Sequence, residues 1–231
     1  MGDQHTVTGF DADLNALSAL TLKMGTLALE ECRDSVTALV GRDTVLAQDV
    51  VARDPILDAM QIDIEERALR LVALRQPVAI DLRRAMAAMK MASNLERCGD
   101  LAKNIAKRAL VMSDAKLRSP AKGSVDRMGQ LVVSRLRQVM EASRDHDIDK
   151  AEQVWRRDEE VDQQYDALFR ELLTFMMGDP ATITASAHLL FVAKNLERIG
   201  DHATNIAELV HYQVTGDPMP GTTRPKWDSL S

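Results

Sequence analysis

Residues 94–106 read NLERCGDLAKNIA, and residues 195–207 read NLERIGDHATNIA. Ten of the thirteen positions agree, among them Glu96 with Glu197, Gly99 with Gly200, Asp100 with Asp201 and Asn104 with Asn205. One chain does not repeat itself so closely by chance. The element is a duplication whose polar residues were kept, and the rest of the chain is read around it.

Glu96 and Asp100 stand four residues apart, as do Glu197 and Asp201, so on a helix each pair shares one face. A glycine inside each copy, Gly99 and Gly200, costs a helix about 1 kcal/mol relative to alanine. It implies close approach to the backbone, either by another helix or by something held beside the acids. A second pair of acids precedes each copy. Asp54 and Asp58 recur 104 positions later as Asp158 and Asp162, again four apart. In an antiparallel hairpin these face the motif acids, so four carboxylates are expected to converge in each half. Such a group needs relief from protons, arginines or metal ions. Oxygen ligands alone favour hard cations such as iron, manganese, magnesium or calcium. No Glu-x-x-His pattern accompanies them, which disfavours a redox di-metal oxidase or metal store, the rival reading. His202 has Leu101 as its counterpart and reads as an ordinary histidine rather than a ligand.

Apolar residues recur at helical spacing on both sides of the motif: Leu14, Leu17, Leu20, Met24, Leu27, Cys32, Val36 and Leu39 first. Val45, Leu46, Val50, Ile56, Met60, Ile64, Leu69, Val72 and Leu74 follow, then Leu82, Met86, Met89, Leu95, Ile105 and Leu110. Breaks are expected at Gly41-Arg42-Asp43 and Gln76-Pro77, across a linker from Ser113 to Ser124, near Asp145-His146-Asp147 and at Gly178-Asp179-Pro180. Pro55 falls inside a helix and must kink it or restart it with Asp54 as N-cap. No segment has a strand period. An all-α chain of two tandem three-helix bundles is expected, six long helices with a pseudo-twofold repeat. The first bundle spans 1–115 with a frayed start, the second 116–215, and a loose tail 216–231.

Composition agrees. Only 3% of the 231 residues are aromatic, so aliphatic helix formers must fill the core. A net charge of −6 without a basic block argues against direct nucleic-acid binding. The apolar runs are too short to span a membrane. Cys32 and Cys98 fit no metal spacing, and a reducing, cytoplasmic setting is expected.

LRQPVAIDLR (74–83), the two motif copies and the two Asp pairs together resemble the PhoU family, the bacterial phosphate-uptake regulators. The resemblance covers about residues 10–214. It implies spectrin-like bundles and no enzymatic activity. It also implies metal clusters, iron or zinc by preference, on Asp54, Asp58, Glu96 and Asp100 and on Asp158, Asp162, Glu197 and Asp201. The implied role is negative regulation of the phosphate regulon. Partners would be a sensor histidine kinase and the ATPase subunit of a phosphate ABC transporter, with a homodimer compatible with such bundles.

Overall fold

A computed structural model describes residues 2–75, 79–113 and 121–220. It is built from helices, with no strand among the described residues. Helix α1 spans Gly2–Gly41, α2 Thr44–Arg75 and α3 Ala79–Val111. The second half has α4 Lys122–Asp145, α5 Ile148–Arg156, α6 Glu159–Gly178, a 3₁₀ turn at Pro180–Thr182 and α7 Ile183–Thr215. Helices α1–α3 form one three-helix bundle; α4, the α5–α6 pair and α7 form the other. The bundles meet where α1 crosses α4 and α3 lies against α7. No described helix is long and apolar enough to cross a membrane.

The turns follow local chemistry, and they repeat. Gly41 closes α1, Arg42 takes a left-handed φ of 55°, and the Asp43 side chain accepts the Leu46 amide at 3.0 Å. At the equivalent place His146 has φ 52° and Asp147 accepts the Lys150 amide at 2.9 Å. Removing either cap, Asp43→Ala or Asp147→Ala, should cost about 1 kcal/mol of stability in urea titration. Equal losses in the two variants are expected, because the two turns are copies. Asp179 likewise caps the 3₁₀ turn through the Ala181 amide, with Pro180 at its first position.

Several boundaries differ from expectation. Helix α1 starts at Gly2 rather than near Phe10; no proline interrupts the polar start, and helix propagation gains one bond per residue fixed. The turn at Gln76-Pro77 and most of the Ser113–Ser124 stretch lie outside the described residues, and Lys122–Ser124 already belong to α4. Of the tail, residues 216–220 are described and anchored at two points: Met219 is buried, and the Asp217 carbonyl lies 3.2 Å from His211 Nδ1. The remainder of the tail lies outside the described residues.

Of the two outcomes open at Pro55, a kink or a restart, the restart is excluded. Helix α2 runs through Pro55 without a break, so Asp54 is a mid-helix residue and not an N-cap. The interruption occurs instead in the other copy, at Arg157–Asp158, one position short of the residue equivalent to Pro55. There the end of α5 is pinned to α7 by the Trp155 indole N–H, which donates to Glu208 at 3.1 Å.

The faces also needed adjusting. On α2 the buried apolar residues are Ala47, Val50, Leu57, Ile64, Ala68 and Leu71, while Val45, Ile56, Leu69 and Leu74 are exposed. On α3 the core face is made largely of small residues: Ala85, Ala88, Ala92, Gly99, Ala102, Ala106 and Ala109. Leu82 and Met86 point outward. Small side chains let α3 sit between α1, α2 and α7 at once, which a face of leucines would prevent.

The pseudo-twofold is visible in the packing between the bundles. A Cβ at Gly25 would fall 2.2 Å from Met140 Cε, and one at Gly129 would fall 2.6 Å from Val36 Cγ1. Gly25 corresponds to Gly129 and Val36 to Met140 under the repeat. Each bundle therefore inserts a side chain into a glycine notch of the other.

Candidate functional site

The motif helices α3 and α7 present their acids toward the preceding helix of their own bundle. Gly99 and Gly200 make that approach possible. A Cβ at 99 would lie 2.3 Å from Leu57 Cδ1, and one at 200 would lie 3.1 Å from Val161 Cγ1. Leu57 and Val161 are equivalent residues of α2 and α6. The glycines thus serve helix–helix packing, and by doing so draw the two acidic walls together.

In the first bundle Asp54 is buried, Glu96 and Asp100 are half-buried, and Asp58 is exposed. Between the walls stands a residue that the motif comparison passed over. The Lys103 ammonium donates to Asp54 Oδ2 at 2.7 Å and to Asp100 Oδ1 at 2.5 Å. Burial works against the charged lysine, but the bonds to Asp100 and Asp54 outweigh it and hold its pKa above the ordinary value. Asp100 loses by burial and gains more from Lys103, so its pKa lies below the usual carboxylate range. Burial, then repulsion from Asp100, pushes Glu96 upward.

Beneath this layer lies Glu31 of α1. It has no exposed surface, and neither carboxylate oxygen has a hydrogen-bond partner. Burial raises its pKa to about 7, with Arg53 and Lys103 opposing and Asp54 adding to the rise. An unpaired buried carboxylate is costly, and such a group is expected to hold its proton near neutrality.

The second bundle is arranged differently. Position 103 corresponds to Thr204, whose hydroxyl donates to Asp158 Oδ1 at 2.7 Å. A neutral donor therefore stands where the first bundle has an ammonium. Position 31 corresponds to Arg135, buried and bonded to Glu160 and Gln138. Glu197 Oε1 takes Lys194 at 2.7 Å from the solvent side, while Oε2 is buried without a partner. Burial first, then Asp158 and Glu197, raises Asp162 to about 6. Asp201 is half-buried on the same helix and has partners of its own.

Asp54 and Asp100 thus meet through Lys103 across the α2–α3 seam, and Asp162 lies in the field of Asp158 and Glu197 across the α6–α7 seam. Among the described residues, no three His, Cys, Asp or Glu side chains stand ready-made as a metal cage. The donor chemistry nevertheless separates the halves. Asp158 and Asp162 have no ammonium bridging them to the facing helix, Glu197 keeps an orphan oxygen beside its Lys194 pair, and an all-oxygen donor set of this kind is chemically suited to a hard cation. Asp54 and Asp100 already share one.

The remaining motif residues link the bundles. Asn94 Oδ1 receives the Asn205 amide at 3.3 Å and lies 2.9 Å from His202 Nδ1. The first motif copy is thereby joined to the second across the α3–α7 contact. His202 and Asn205 are thus interhelical partners of Asn94. Asn104 is exposed.

The family model of the PhoU domain matches residues 21–109 and again 125–210. The chain belongs to the PhoU family. It is 54% identical over 228 residues to the "Phosphate-specific transport system accessory protein PhoU homolog" of Caulobacter vibrioides (strain NA1000 / CB15N), covering 99% of both chains. With the PhoU protein of Escherichia coli (strain K12) it shares 35% over 228 residues, 99% of this chain and 94% of the other. The crystal structure of PhoU from Pseudomonas aeruginosa superposes with a TM-score of 0.87 at 37% identity, covering 90% of this chain and all of that one. The "phosphate transport system regulatory protein PhoU" of Streptococcus pneumoniae gives 0.83 at 32% identity, covering 91% of this chain and 99% of that one. The PhoU fold of two three-helix repeats therefore accounts for the chain.

Proposed function

We propose that this chain is a cytoplasmic, non-enzymatic adaptor that restrains phosphate-starvation signalling. It would couple the ATPase subunit of a phosphate ABC transporter to the sensor histidine kinase of the phosphate regulon, self-association being compatible with its surface. What carries the reading is the end-to-end match with a protein named as an accessory of the phosphate-specific transport system. A solved relative named as a regulatory protein of phosphate transport adds to it.

The acidic seams give the adaptor a point of control. Asp158, Asp162, Glu197 and Asp201 would hold iron, zinc, manganese or magnesium, and Asp54, Asp58, Glu96 and Asp100 form the corresponding set. Such a cation would supply charge neutralisation to acids drawn from both sides of the α6–α7 seam. The protein's own residues do the rest: Gly200 sets the distance between the walls, and Thr204 orients Asp158.

A strain lacking the gene, grown in high phosphate with a phosphate-regulon reporter, is expected to express the reporter as if starved. Restoring the gene should restore repression. Unchanged reporter expression in the deletion strain would reject the regulatory reading.

A further inference from the structure

We propose that Lys103 is the built-in cation of the first bundle, so that metal loading is confined to the second. The inference rests on the metal reading of the acidic seams and divides it between the halves. Lys103 Nζ lies between Asp54 of α2 and Asp100 of α3, within hydrogen-bonding distance of both. A divalent ion bridging those two walls needs the same oxygens and the same space. The lysine side chain is only 20% exposed, and Asp54 is buried beneath it, so the ammonium is no solvated rim charge that an ion displaces at little cost. Glu31 lies directly below. Its unpartnered, fully buried carboxyl lies against Gly99, with Oε2 3.3 Å from the place a Cβ would take, and its electrostatic neighbours include Lys103.

The second bundle lacks this device at the same point in the repeat. Thr204 makes the equivalent bond to Asp158 but brings no charge. The second bundle's cations approach its acids differently, and neither is hydrogen-bonded to both walls as Lys103 is. Arg135 feels the charge of Asp158 but is hydrogen-bonded to Glu160 and Gln138, and Lys194, half exposed, pairs with Glu197 Oε1 and acts on Asp162 from a distance. Glu197 Oε2 is left buried and unpartnered. One bundle is closed by its own lysine, and the other is open to an ion from solution.

The test uses the full-length protein, stripped with chelator, reloaded with Zn²⁺ or Mn²⁺ and freed of excess by gel filtration. Metal per chain is then measured by elemental analysis and native mass spectrometry, with melting temperature recorded alongside. Thr204→Lys, which gives the second bundle the first bundle's residue, should reduce bound metal about tenfold or more. The same protein without metal should keep its fold by circular dichroism. Asp162→Asn should do likewise, whereas Asp58→Asn and Glu96→Gln should leave metal content unchanged. Lys103→Thr should add metal, and its melting temperature should become metal-dependent. Equal metal loss in the Asp58→Asn and Asp162→Asn proteins overturns the inference while leaving the metal reading in place. So does full loading of folded Thr204→Lys. Metal absent from every variant under all loading conditions overturns both.

Discussion

Gly129→Val should lower stability by about 3 kcal/mol, a drop in melting temperature of roughly 6–12 °C for a chain of this size. The site lies where the bundles cross. A Cβ at 129 would meet Val36 Cγ1 at 2.6 Å and Cγ2 at 2.9 Å. Val36 is β-branched and fixed in a helix, so it cannot swing clear. The helices must move apart, and the whole contact between α1 and α4 loosens. Gly25→Ala provides the control. Its new methyl would press on Met140 Cε and Sδ, the end of an unbranched side chain with several rotors. Alanine also favours helix over glycine by about 1 kcal/mol. A near-neutral result is expected there. Thermal melts of the two variants side by side decide the matter, and equal losses would show that the crossing does not depend on side-chain stiffness.

Glu31→Gln should change the pH dependence of stability more than any other single substitution in the acidic seams. The Glu31 carboxyl is raised from 4.5 to about 7 in the folded protein, chiefly by burial. A folded state that holds its proton more tightly gains stability below the unfolded value, and that gain is lost as pH rises through about 7. The effect at stake is of the order of 2–3 kcal/mol. Glutamine does not ionise. The variant should therefore match the parent near pH 5 and exceed it by about 2 kcal/mol at pH 8, read from urea midpoints. Parallel pH profiles in the two proteins would show that Glu31 finds a partner in solution.

The architecture was legible because its signals are local or duplicated. Helical spacing, Gly41, Asp43, Asp147 and Pro180 each act within a turn of chain, and the repeat revealed the two bundles. The apolar faces were less legible. Helix α3 packs on three sides through alanines, which carry little hydrophobic contrast, so the eye fell on Leu82 and Met86 instead. At Pro55 two outcomes were open, a kink or a restart, and the continuous helix excludes the restart because the flanking turns are held by packing.

The acids of the candidate site were found because they repeat. Its cation was missed because it does not. Lys103 and Thr204 occupy one of only three positions at which the motif copies disagree, and attention to identity discarded them. Glu31 and Arg135 were invisible for a different reason. They come from α1 and α4, and only the three-dimensional packing brings those helices beneath the acidic walls.

The paired notches of Gly25 and Gly129 have one more consequence. A contact in which each half inserts the same position into the same position of the other is the geometry of a symmetric dimer interface. A half-length ancestor with glycine at the notch and an aliphatic residue eleven places on would have associated with itself through this crossing. Joining two copies in one chain released them from identity. Each half is then free to differ, as Lys103 and Thr204 do between the acids, while the crossing keeps its twofold form.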